Sequence, residues 1–273
     1  MRSVDMPRDV DIHNERGIEL AERGWNDEAI SEFQKAIEQD PDSAYPHDNL
    51  AQAYAEKGLF LEALRHYTKA IELEPTSATI HYNFGCFLSR HSDELSIEAY
   101  QKAAEYEWDM PDVHYNLGLS LSENGRHEDA LAEFKTALRL SPNDVHARYE
   151  VGYTLFELDR IKEAVVELKK VTQADPSHSL AFTYLGICYA KKGFYDEAEH
   201  AYLQATQLDP DDALCNYHFA ALKSLRNESE LCLEFLKRAL RLDSGSVLCW
   251  IENDRAFESV RHLPGFFKLI KKK

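Results

Sequence analysis

Several things are scarce in this chain, and each scarcity excludes something. No apolar run approaches the ~20 residues that a membrane-spanning helix needs, so membrane insertion is not expected. Cysteine is sparse: Cys86, Cys188, Cys215, Cys232 and Cys249, widely scattered and never as C-x-x-C. An odd, scattered set suits reduced, buried thiols better than a disulfide framework or a zinc site. Positive charge is short, with 31 Lys and Arg against 48 Asp and Glu and a formal net charge of −17. Such a surface repels phosphates and anionic lipid, so no nucleic-acid partner is expected. The opening stretch MRSVDMPRDVD lacks the apolar centre of a secretory signal, and a cytoplasmic location is the expectation.

Catalytic signatures are missing too. His127-Glu128 has no second histidine three residues on, so there is no H-E-x-x-H, and no phosphate-cradling loop, G-x-G-x-x-G or G-x-S-x-G occurs. No enzymatic activity and no cofactor are expected. One array tempts a metal reading: His13, His47, His81 and His114. Equivalent residues of stacked helical units lie ~8–10 Å apart, whereas two ligands of one zinc are only ~4 Å apart. Packing or solvent-facing roles are expected for them, and no metal site.

What is present is a period. Prolines stand at 41, 75, 142, 176 and 210, with steps of 34, 67, 34 and 34, and Ser244 continues the series by 34. The step of 67 is one period plus 33, so one unit between 75 and 142 has lost a residue. Alignment on these prolines exposes columns of small residues. The first is Gly17, Ala51, Gly85, Gly118, Gly152, Gly186, Ala220. The second is Ala29, Ala63, Ser96, Ala130, Ala164, Ala198, Cys232, and the third is Ala36, Ala70, Ala103, Ala137, Val171, Ala205, Ala239. A bulky column runs between the last two: Phe33, Tyr67, Tyr100, Phe134, Leu168, Tyr202, Leu236. Small residues let two helix axes approach, and the large side chain fills the space beside them. Each unit therefore reads as two helices. Gly24, Gly58, Gly125, Asp159, Gly193 and Asn227 sit at the turn between them, where a left-handed residue ends the first helix. A proline or its equivalent follows the second helix, which it cannot continue. In the third unit the turn Ser89-Arg90-His91-Ser92-Asp93 is one residue short and has no glycine.

This pattern, from about Val10 to Ser244, resembles the tetratricopeptide family. The resemblance implies an all-α fold, a right-handed α-solenoid of antiparallel helix pairs. The expected organisation is an N-terminal tail at 1–9, seven repeats at 10–244, and a partial eighth unit with a C-terminal helical cap and basic tail at 245–273. The final stretch, with Phe257, Val260, Pro264, Phe266 and Phe267, resembles tails that close many prokaryotic repeat proteins. An alternative use of it is a docking patch made by exposed Phe266 and Phe267.

The family binds on the concave face lined by the first helices, so the resemblance turns the fifth residue of each unit inward: Asn14, Asp48, Tyr82, Tyr115, Tyr149, Thr183, Tyr217. Tyr153 and Phe156 follow one and two turns after Tyr149. Tyrosine suits recognition, offering a ring and a hydroxyl at little entropic cost, though it also suits packing between units. A neighbouring column, Asn49, Asn83 and Asn116, is similar to the asparagine ladder of O-GlcNAc transferases, which grips peptide backbone. Bonding to the adjacent repeat is the other use of such an amide. The expected site is thus Tyr82, Asn49, Asn83, Tyr115, Asn116, Tyr149, Tyr153 and Phe156. Inward positions are largely neutral or acidic, including Asp48, Asp112, Glu123 and Glu157, with Arg90 and Lys191 as exceptions, so an anionic peptide tail would meet like charge.

The expected function is a scaffold or adaptor holding a protein or peptide ligand in its groove. Two rivals remain. One is a regulatory subunit of an enzyme on another chain. The other is a self-assembling homo-oligomer joined through its ends, since residues 10–75 hold 15 acidic and 6 basic side chains while 255–273 hold 6 basic and 1 acidic.

Overall fold

A computed structural model describes residues 9–91 and 93–270. The expected N-terminal tail, apart from Asp9, lies outside the described residues, as do Ser92 of the short turn and the last three residues of the basic tail. The regular elements among the described residues are all helices, with no strand among them. No helix among them is long and apolar enough to cross a membrane.

The chain forms two compact units, residues 1–141 and 142–273. The first holds α1 (Asp9–Glu22), α2 (Asn26–Gln39), α3 (Ala44–Glu56), α4 (Phe60–Leu73), α5 (Ala78–Leu88), α6 (Asp93–Tyr106), α7 (Pro111–Glu123) and α8 (His127–Leu140). They pair as four helical hairpins, and α3 packs beside both α1 and α5. The second unit holds three hairpins, α9 (Val145–Glu157) with α10 (Ile161–Ala174), α11 (Ser179–Lys191) with α12 (Tyr195–Leu208), and α13 (Ala213–Leu225) with α14 (Ser229–Leu242). There α11 packs beside both α9 and α13. Seven hairpins match the seven registers of the sequence.

The columns explain the hairpins. A Cβ at Gly118 would sit 2.6 Å from Phe134 Cε1, and one at Gly186 would sit 2.5 Å from Tyr202 Cε1. The large ring of the second helix therefore lies on the bare backbone of the first, at a distance no other residue permits. The second small column, from Ala29 to Cys232, has no exposed surface. The turns are left-handed where expected: Asp159 has φ 54 and Asn227 has φ 61, the same conformation as Gly24 at φ 77. Asn and Asp tolerate this region better than other side chains because they can bond locally. The third unit instead leaves α5 through Ser89 at φ −58, an ordinary helical value. The prolines that follow the second helices force their predecessors out of the helix, as at Asp40 (φ −140, ψ 91) and Asp209 (φ −135, ψ 94).

After α14 come α15 (Ser244–Asn253), a single 3-10 turn at Arg255–Phe257 and α16 (Pro264–Ile270). Val247, Ile251, Phe257, Val260 and Phe266 are buried against Tyr217, Leu236 and Ala239 of α13 and α14. Phe266 is 1% exposed and Phe267 45% exposed. The two phenylalanines thus do not form a joint surface patch, because Phe266 is part of this core.

Candidate functional site

The histidine array is bound into the framework. His47 Nε2 lies 3.3 Å from the Pro41 carbonyl, His81 Nε2 2.9 Å from that of Pro75, and His114 Nε2 2.7 Å from that of Trp108. Arg148 donates to the Pro142 carbonyl at 2.6 Å and Asn216 to that of Pro210 at 3.0 Å. This column therefore holds the entry of five first helices, α3, α5, α7, α9 and α13, to the carbonyl six residues before it; in α11 the position is Phe182, which has no donor. A second contact reaches 19 residues ahead: His13 to Glu32 at 2.6 Å, His47 to His66 at 3.0 Å, His114 to Glu133 at 2.6 Å, Arg148 to Glu167 at 3.2 Å. Among the described residues no group of three or more His, Cys, Asp or Glu could hold a metal ion.

In the first unit, the expected residues bond backward along the array. Asn49 Nδ2 donates to Asn14 Oδ1 at 2.9 Å, Asn83 Nδ2 to Asp48 Oδ2 at 2.7 Å, and Asn116 Nδ2 to the Tyr82 hydroxyl at 3.2 Å. Each amide reaches the fifth residue of the preceding repeat, which is the repeat-bonding use rather than a free ladder. Asp48 is only 2% exposed and also accepts from Gln52 at 3.1 Å, while its Oδ1 is buried without a partner. Burial pushes its carboxyl up to about 7, against the two amide donors that lower it. Tyr82 and Tyr115 lean on the large rings of their own repeats, 6.0 Å from Tyr100 and 5.9 Å from Phe134. Arg90, one of the two cations expected inward, faces Glu56 at 3.4 Å.

In the second unit the expected residues meet each other. Tyr149, Tyr153 and Phe156 run along α9, all half-buried. Tyr149 and Tyr153 are nearly parallel, with ring centres 6.3 Å apart and planes at 11°. Tyr184 from α11 meets them edge-on, 5.0 Å from Tyr153, 6.3 Å from Tyr149 and 5.4 Å from Phe156. His178 lies 4.7 Å from Tyr149, and its Nδ1 accepts from the Ala181 N–H. Burial holds its basicity down, which fits an accepting, neutral ring. Lys191 places its ammonium 4.5 Å over Phe156 and 3.7 Å from Asp159. Glu150, between the two tyrosines in sequence, is half-buried, and burial alone pushes its carboxyl up to about 7.

Tyr184, Glu150 and His218 stand on the first helices of this unit's hairpins and were not among the expected site residues. The signal was in the register: they occupy the column of Asn49, Asn83 and Asn116. His218 of α13 is held neutral, its basicity pushed down to about 4 by burial. A column chosen for amides hid the positions where the residue type changes.

Four repeat models match the chain. One described as TPR repeat covers residues 17–58, and three described as tetratricopeptide repeat cover 94–145, 121–183, and 44–77 with 179–212. No curated protein matches. Solved structures do. YrrB, described as a TPR protein with an unusual peptide-binding site, is 29% identical at TM-score 0.63, over 68% of this chain and 96% of its own. Pseudomonas aeruginosa pilF is 23% identical at TM-score 0.67, over 77% and 96%. The C-terminal part of a TPR repeat-containing protein from Cytophaga hutchinsonii is 17% identical at TM-score 0.68, over 90% and 98%. At those last two identities the likeness is one of fold.

Proposed function

We propose, on the premise that the chain belongs to the tetratricopeptide repeat family, that it is a non-enzymatic adaptor of the cytoplasm that holds an extended peptide or a partner helix. The family and fold supply a protein-interaction scaffold in general. The finer reading rests on one observation, the half-exposed aromatic patch of Tyr149, Tyr153, Phe156 and Tyr184 on the first helices of the second unit. Phe156 and Tyr184 also pack against the core around Ile187, Tyr202 and Phe219, yet all four rings keep part of their surface exposed. Such rings are the usual anchors of a protein interface. YrrB, the 29% identical structure, is itself described as carrying a peptide-binding site, which supports the same use here.

In this reading Asn49, Asn83, Asn116, Tyr82 and Tyr115 line the inner positions of the first unit and contribute what their repeat-to-repeat bonds leave free. The test is Tyr149→Ala with Tyr153→Ala, measured against a partner captured by co-purification. Weaker binding by about 2 kcal/mol or more, at an unchanged melting temperature, is the expected result. Equal affinity in a folded variant would move the site elsewhere.

A further inference from the structure

The patch of the second unit carries a carboxylate with nothing to do. Among the described residues Glu150 has no hydrogen-bond or ion-pair partner, and it is half-buried. A half-buried carboxylate without a protein donor carries a desolvation cost that a bound cation would offset. A buried carboxyl one position earlier in the register of the first unit, Asp48, is also raised by burial yet accepts from two amides.

The surroundings of Glu150 favour a cation. Its charge acts on the phenols of both Tyr149 and Tyr153, and that of Glu157 acts on Tyr153 and Tyr184. Asp212 also acts on Tyr149 and Tyr184, but it already accepts from Leu214 N, Cys215 N and Thr183 Oγ1. The nearby imidazoles, His178 and His218, are held neutral. Lys191 is the cation at this edge, and it is placed over Phe156 and against Asp159. Its position leaves the rings of Tyr149, Tyr153 and Tyr184 for another positive group. A ring face attracts a cation, most strongly where water is partly excluded.

We propose that the faces and edges of Tyr149, Tyr153 and Tyr184 form a subsite for an arginine or lysine side chain of an extended peptide, with Glu150 as its counter-ion. This rests on the groove reading above and adds the chemistry of the partner. Charge complementarity with a chain of net charge −17 points the same way.

The full chain is incubated with an immobilised library of random ten-residue peptides, and the bound sequences are read. Wild type, Glu150→Gln, Glu150→Asp and Tyr149→Ala/Tyr153→Ala are compared, each with its melting temperature. Bound peptides should be enriched in Arg and Lys. Replacing the basic residue of a binder by Gln should weaken it roughly tenfold. Glu150→Gln should cause a similar loss for the basic peptide and little for its Gln version, while Glu150→Asp restores part of it. Suppose peptides bind wild type and are lost in the tyrosine variant, but neither the basic residue nor Glu150 matters. Then the groove stands and the cation subsite is overturned. If wild type retains no peptide at all, the groove reading falls and the subsite falls with it.

Discussion

The inner faces of the two units use similar positions for opposite ends. In the first, polar side chains are consumed by the framework: Asn83 serves Asp48, Asn49 serves Asn14, and Asn116 serves Tyr82. In the second, the equivalent column reads Glu150, Tyr184 and His218, and its members meet rings rather than amides. Asp48 and Glu150 make the contrast sharpest. Burial lifts both carboxyls to about 7. Two donors hold the first within the fold and none holds the second. A shifted carboxyl is therefore not by itself a sign of function; the partner list separates a structural acid from one that awaits a ligand.

That contrast can be tested at decreasing scale. The largest effect should come from ending the chain after Asp243, since only the second unit is covered by α15 and α16. Losing Val247, Ile251, Phe257, Val260 and Phe266 removes five buried apolar side chains, on the order of 5 kcal/mol or more. Light scattering should show association, and calorimetry a lower melting temperature. A monomer of wild-type stability would mean that the segment adds nothing.

Next come substitutions in the framework that both units share. Gly118→Leu in the first and Gly186→Leu in the second each drive a side chain into a ring under 3 Å away. Both should destabilise by about 3 kcal/mol in denaturant titrations. A large cost in one unit with none in the other would show that the small–large columns are not equivalent.

Smaller again is Asn83→Ala, expected to cost about 1–3 kcal/mol because Asp48 loses its shortest donor. The sign with pH follows from the raised carboxyl. The folded state binds the proton more tightly than the unfolded state, so the acid's contribution is complete below about 4 and is lost as pH rises through about 7. Asn83 favours the charged form, so its removal should cost more at pH 8 than at pH 5. A pH-independent cost would assign the loss to packing.

The smallest expected effect has the opposite sign. Glu150→Gln should stabilise the protein by about 1 kcal/mol at pH 8 and by little at pH 4, since the raised carboxyl is charged only in the first case. Gain of stability together with loss of basic-peptide binding is the mark of a binding residue. Destabilisation at pH 8 would reveal a structural role for Glu150 after all.

The framework was legible because it repeats. A single Gly118 says little, but seven small residues in register, each one turn-pattern away from a Phe, Tyr or Leu, specify a helix pair. The left-handed turns were legible at Asp159 and Asn227 because glycine fills the same place elsewhere. The residues of the proposed binding patch were legible only in part. Tyr149 and Tyr153 stand out by type, whereas Tyr184 is brought to them by a neighbouring helix, a relation that no local spacing carries. The asparagines' partners were hidden for a related reason. An amide 35 residues from its acceptor looks unengaged until the repeats are stacked.

The column that grips the carbonyl six residues back is filled by His47, His81, His114, Arg148 and Asn216. As letters these score as a variable position, and none is the tryptophan that the family often has there. As a hydrogen bond these five agree, whereas Phe182, in the same register of α11, has no side-chain donor. What the five share is a donor of sufficient reach, so three kinds of side chain serve one geometry. Scoring by identity counts such a column as noise, and a chain can then share 17% of its residues with a structure that it follows over 90% of its length.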